Sequence, residues 1–288
     1  MHRITALSAL GVAAIAVWAA LPEPAQTIPL DLSDARPAAY LSVGGRTPVR
    51  VIFDSGAGGN VVGRQFARTL GLPVRGSTDA GNPGASTPLP GFFTSIAPAQ
   101  LGGANIEAGD AVAVELPAPL DDYAAVISPN AFSGRLVRFD FASSRAMVMA
   151  KTSMNTPSSP GHAYGGESGH PLPVEEVNLA GVTVVALLDS GSRYGLQLPV
   201  ELARKIPLKG ALRPSCPVRM LGGEHAAYLA EIDGAVRIGP LVVTDPTVQF
   251  VEGVPFANVG LLILKDATLV LDPEAQLSWL LPAAHHLI

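Results

Sequence analysis

Cysteine is almost absent: Cys216 is the single thiol in 288 residues. One thiol forms no intrachain disulfide and anchors no metal framework, so it reads as a buried, inert side chain. Charge is also scarce. Asp, Glu, Lys and Arg make up 15% of the chain, the net charge is −5, and no run of Lys or Arg occurs. Nothing therefore attracts a polyphosphate backbone, and nucleic acid is not an expected partner. The six histidines form no HEXXH helix; His162 and His170 lie in a polar stretch and His285-His286 in the tail, all reading as solvated side chains. No metal and no cofactor is called for. The run Gly56-Ala57-Gly58-Gly59-Asn60-Val61 puts Val61 where a dinucleotide loop needs its third glycine. Gly166-Glu167-Ser168-Gly169 lacks the last glycine of a nucleophile elbow.

What the chain has is apolar side chains and turn formers. Hydrophobic residues are 48%, with 30 Gly and 26 Pro. That mixture favours many short strands over long helices. His2-Arg3 opens a run, Ile4 to Leu21, that carries no charge and stops at Pro22-Glu23-Pro24. Residues 1–25 read as a secretory signal, with Val17-Trp18-Ala19 as cleavage site, or as an uncleaved membrane anchor. Either form exports the rest to the periplasm or the outside. Residues 151–170 are rich in Ser, Thr, Pro and Gly and read as a linker between lobes of 28–150 and 171–288.

The lobes repeat one another. Strand-like runs lead to Val51-Ile52-Phe53-Asp54-Ser55-Gly56-Ala57 and to Ala186-Leu187-Leu188-Asp189-Ser190-Gly191-Ser192. Each is followed by a short helix candidate. Gly63 to Leu70 closes on Gly71, a C-terminal cap, and Pro199 to Lys205 begins on a helix-compatible proline. Residues 125–140 can be laid on 257–272 without a gap. Between these anchors, Gly81-Asn82-Pro83-Gly84 and Leu221-Gly222-Gly223-Glu224 read as hairpin tips over a cleft.

One Asp-Ser-Gly is ordinary turn chemistry, because Asp and Ser bond their own backbone and Gly permits a sharp bend. Two copies at matching places in duplicated lobes point to a pair of carboxyls. Two close aspartates do not ionise together, so one keeps a proton and the other is a carboxylate. Such a pair can activate a water for attack on a carbonyl carbon without metal or covalent intermediate. Ser55 and Ser190 can lock the two turns to each other or to the carboxylates, and Gly56 and Gly191 let the backbone turn beneath each acid.

The pattern of two apolar residues, Asp-Ser-Gly-Ala/Ser, and a later apolar-apolar-Gly resembles the pepsin and retropepsin type of aspartic peptidase. With its short helix before Leu70-Gly71-Leu72, the chain is closest to the bacterial retropepsin-like branch. The resemblance implies an all-β, bilobal fold with two related lobes of six to seven strands. It also implies Asp54 and Asp189 as the catalytic acids of an endopeptidase, supported by Ser55, Gly56, Ser190 and Gly191. A peptide or protein substrate would lie extended in the inter-lobe cleft under flap hairpins, and membrane contact would run only through an N-terminal anchor. Gly260 matches the family's glycine behind the second acid, whereas Ser128 stands in that place behind the first, and Gly58-Gly59 is expected to loosen the Asp54 loop. The alternative is a peptide- or protein-binding protein of the same fold that does not hydrolyse.

Overall fold

The computed structural model describes residues 23–81, 87–106, 109–118, 120–166, 171–220 and 223–283. The apolar run at the start, both hairpin tips apart from Gly81, Gly223 and Glu224, and His170, His285 and His286 lie outside them. Strands dominate, and two nine-stranded sheets have the same order. In the first lobe the order is Ser77–Ala80, Leu89–Ser95, Asp110–Val114, Asn60–Gly63, Ala125–Ile127, Val49–Phe53, Ala38–Val43, Ala99–Leu101, Ala104–Ile106. In the second it is Arg213–Met220, Gly223–Glu231, Thr247–Val251, Leu196–Pro199, Ala257–Gly260, Val182–Asp189, Val174–Leu179, Ala235–Ile238, Leu241–Thr244. The last two strands of each series form a small hairpin that extends the sheet beyond seven.

A third sheet belongs to both lobes. Its order is Gln26–Pro29, Arg145–Ala150, Arg135–Asp140, Ala267–Asp272, Leu277–Pro282, His162–Ala163. At its centre Arg138 pairs with Val270, Val137 with Leu271 and Phe139 with Leu269. These are equivalent positions of the two halves, so an approximate two-fold axis passes between Arg138 and Val270. The stretch after Lys151 crosses this sheet: Trp279 Nε1 donates to Ser159 O at 2.8 Å, and the strand His162–Ala163 pairs with Leu277–Pro282.

The strands that carry the acids are apolar on both faces near their ends. Val51, Ile52 and Phe53 are buried, as are Ala186, Leu187 and Leu188. Continuous burial is the mark of a strand covered on both sides. Each of these strands pairs in parallel with the one from the end of its own lobe, Ile52 with Val126 and Leu188 with Val259. Under Asp54 the packing is aromatic, with Phe53 4.7 Å from Phe139 and 5.8 Å from Phe132, ring centre to ring centre.

The helix Arg64–Leu70 ends on Gly71 at φ 66°, where a residue without Cβ is at ease. Its counterpart, Val200–Arg204, is a 3₁₀ turn instead of an α-helix. Pro199 and Pro207 bracket it, and a residue before proline is driven out of the helical region. Cys216, expected to be buried, is exposed on the outer strand of its hairpin.

Candidate active site

Asp54 and Asp189 stand at the ends of the two central strands and face each other across the lobe boundary. Asp54 Oδ1 accepts from Gly56 N at 2.8 Å and from Gly191 N, in the other lobe, at 3.0 Å. Asp189 Oδ1 accepts from Ser192 N at 3.0 Å, and its Oδ2 accepts from Asn258 Nδ2 at 2.6 Å. Both acids sit deep in the protein and remain partly open to solvent.

The glycines serve close approach, not an unusual φ. A methyl at Gly56 would lie 2.9 Å from Asp189 Cβ and Cγ. One at Gly191 would collide with Asp54 Oδ2 and lie 2.6 Å from Asp54 Cγ. Each turn therefore packs its glycine on the opposite lobe's acid. Beneath them the serines cross as well. Ser55 N donates to Ser190 Oγ at 3.0 Å, Ser190 N donates to Ser55 Oγ at 2.9 Å, and Ser55 Oγ donates to Leu188 O at 2.7 Å. Both serines are buried, so these bonds form where an unpaired amide is costly.

Burial and the neighbouring Asp189 carboxylate push the Asp54 carboxyl up to about 8. Burial also raises Asp189, and the Asn258 amide pulls it back. Burial and mutual repulsion therefore both favour a proton held between the two carboxyls. A guanidinium stands close by: Arg36, 9% exposed, donates from Nε to Gly191 O at 3.0 Å. Burial first, then the charge of Arg193, lowers its pKa, while Asp54 and Asp189 raise it. The turn that holds Arg36 is itself fixed, since Asp34 accepts from Arg50 at 2.7 Å and from Tyr123 at 3.0 Å.

A family model for aspartyl proteases matches residues 39–126 and 175–263, more than half of the chain, with one Asp-Ser-Gly in each match. The chain belongs to the aspartyl protease family. No curated protein matches it. The two matches fall on the two equivalent sheets, so this protease carries both halves of the fold in one chain.

The two lobes of the protease are alike in backbone and unlike in the residues behind the acids. In the second lobe Gly260 lies hard against Tyr194 O, and a Cβ there would also come 2.9 Å from Ser192 O. Leu261 N donates to Ser192 O at 2.9 Å. In the first lobe the residue equivalent to Leu261 is Pro129, which has no N–H. There Ser128 Oγ donates to Ala57 O at 2.6 Å and supplies the missing bond. Asn60 Oδ1 accepts from Ser128 N at 3.0 Å, and Asn130 Nδ2 donates to Gly58 O at 2.9 Å. The loop that Gly58-Gly59 was expected to loosen is thus tied by three side chains.

Sequence reasoning missed Arg36, Asn60, Asn130 and Asn258. Two of them had a signal. Asn60 precedes Val61-Val62, and Asn258 interrupts the apolar stretch Ala257 to Leu264. A lone amide in a buried strand requires a partner.

Proposed function

We propose that this aspartyl protease is an endopeptidase with Asp54 and Asp189 as its acid–base dyad. The observation that carries the proposal is the crossed arrangement of the acids, each packed on the glycine of the opposite turn. A water held by the pair loses a proton to the ionised carboxyl as its oxygen attacks the peptide carbonyl carbon. The protonated carboxyl donates to the carbonyl oxygen and neutralises the developing charge. The resulting diol collapses as the carboxyl that took the water's proton gives it to the amide nitrogen, the C–N bond breaks, and a diol hydroxyl returns its proton to the other carboxylate as the new carboxyl C=O forms. The substrate is a peptide lying extended between the lobes, under the hairpins Ser77–Ser95 and Arg213–Glu231.

A loose turn at Ser128 and Gly58-Gly59 would favour binding without hydrolysis. Both are hydrogen-bonded into the first active-site turn, so neither speaks for it. The apolar run Ile4 to Leu21 supports export as a further part of the proposal.

The test is cleavage of an unfolded protein by wild type, Asp54→Asn and Asp189→Asn from acid to neutral pH. Wild type is expected to cut, and each variant to lose about a hundredfold or more. A wild type that cuts nothing across the range, or a variant that cuts as well as wild type, removes the proposal.

A further inference from the structure

The two acids are treated differently by their surroundings. Asp54 accepts both of its amide bonds on one oxygen, Oδ1. Among the described residues no amide reaches its Oδ2, and the other partner of Asp54 is the Asp189 carboxyl itself. Asp189 has a donor on each oxygen, Ser192 N on Oδ1 and Asn258 Nδ2 on Oδ2. A carboxyl with a donor on both oxygens is arranged to be an anion, and a carboxyl with one oxygen left over has a place for a proton.

The elements behind the acids repeat the contrast. Val126 and Val61 pair with each other beneath Asp54, in an apolar cluster with Ile52, Ala38 and Tyr123. The matching pair beneath Asp189 is Asn258 and Gln197. Gln197 accepts from Ser192 Oγ at 3.1 Å and donates to Gln249 Oε1 at 2.8 Å. This buried chain holds Ser192, whose amide serves Asp189. Asn258 has no comparable tie. Its Oδ1 is buried without a partner, so Asp189 is the group that fixes its orientation. Leaving an amide oxygen unsatisfied is costly, and the short bond to Asp189 offsets that cost best when the carboxylate is charged.

We propose, on the reading of the site given above, that Asn258 is a positioning residue that makes the dyad inequivalent: it holds Asp189 ionised and leaves the shared proton on Asp54. Asp189 is then the base that takes the proton of the water, and Asp54 the acid that donates to the substrate carbonyl. Three other charged groups bear on Asp189. Asp54, hydrogen-bonded to Asp189, keeps the proton and favours the ionisation of Asp189. The Arg36 guanidinium, on Gly191 O, favours ionisation of either acid, and Arg193, beside Arg36, has the same sign. The two arginines shift the pair together and do not choose between its members. Asn258 does, because it touches one of them.

The test follows the ¹³C-labelled aspartate carboxyl signals of the intact protein by NMR through a pH titration, with assignments made through the backbone. In wild type Asp189 is expected to titrate below Asp54. Asn258→Val copies what the first lobe has at Val126. It should raise the Asp189 titration and the acid limb of the cleavage profile by about one pH unit or more. Asn258→Gln keeps an amide and should move both by less than half as much. Asp54 titrating below Asp189 in wild type overturns the inference, and so does a folded Asn258→Val protein whose Asp189 titration does not move. The titration needs no turnover. The expected order in a chain that cuts nothing would support the charge assignment and sink the peptidase reading alone. Cleavage with the order reversed would do the opposite.

Discussion

Gly56 and Gly191 each lie against the other lobe's acid, and Ser55 and Ser190 each pair with the other's amide. The smallest working unit of this site is therefore a pair of tripeptides, not a tripeptide. That much was legible from the sequence, because Asp-Ser-Gly occurs twice at matching places. What each glycine is for was not legible, since close approach to a carboxylate 133 residues away (Gly56 to Asp189) or 137 (Gly191 to Asp54) leaves no local mark. The serine crossing has a measurable cost. Ser55→Ala removes the acceptor of Ser190 N and the donor to Leu188 O inside the protein. Unfolding in urea should show a loss of about 1–3 kcal/mol for this variant, and a loss near zero would mean that the buried groups find other partners.

At the scale of elements, the turn Ser128-Pro129 is the instructive case. Judged against the family pattern, Ser128 is a defect, because a glycine belongs there. In the folded chain it repairs a different change: Pro129 has no N–H, and the Ser128 hydroxyl bonds Ala57 O in its stead. Two departures that look independent in the sequence are one compensated exchange. Ser128→Gly is thus expected to lower stability by about 1–3 kcal/mol and to weaken cleavage, despite restoring the family's residue. Adding Pro129→Leu, the residue found at Leu261, should recover part of both. A single Ser128→Gly protein as stable and active as wild type would show that Ala57 O needs no such donor. The strands leading to Asp54 and Asp189 were legible as apolar runs. The 3₁₀ turn Val200–Arg204 was not, because Pro199 is compatible with the start of a full helix and the limit comes from Pro207, beyond the end of the run.

For the whole molecule, the raised Asp54 carboxyl carries a stability consequence whose sign is opposite to that of a salt-bridged acid. Its native value of about 8 lies above the value near 4 of an unfolded aspartate. Between those limits the native state binds more protons than the unfolded chain, so stability falls as pH rises through the window. Asp189 and Glu175, both raised chiefly by burial, add to the same slope. The melting temperature should be higher at pH 5 than at pH 8. Asp54→Asn should flatten the difference and leave the variant more stable than wild type at pH 8. Thermal melts of both proteins at the two pH values decide it, and a wild-type melting temperature that rises with pH contradicts it. The duplicated lobes were legible from the matching segments 125–140 and 257–272. The shared sheet was not, because nothing in either lobe's pattern says that Arg135–Asp140 pairs with Ala267–Asp272 across the molecule.

That shared sheet also sets a clock. Arg135–Asp140 leaves the ribosome long before its neighbour Ala267–Asp272, and Asp54 is made 135 residues ahead of Asp189. At ~5–20 residues per second the interval is on the order of ten seconds. Throughout it the first lobe lacks its central neighbour, and its acid has no second carboxyl and no Gly191 amide. A nascent chain therefore holds only one of the two facing carboxyls. The paired site arrives late and all at once, when the second half docks and the two strands at the centre of the shared sheet meet.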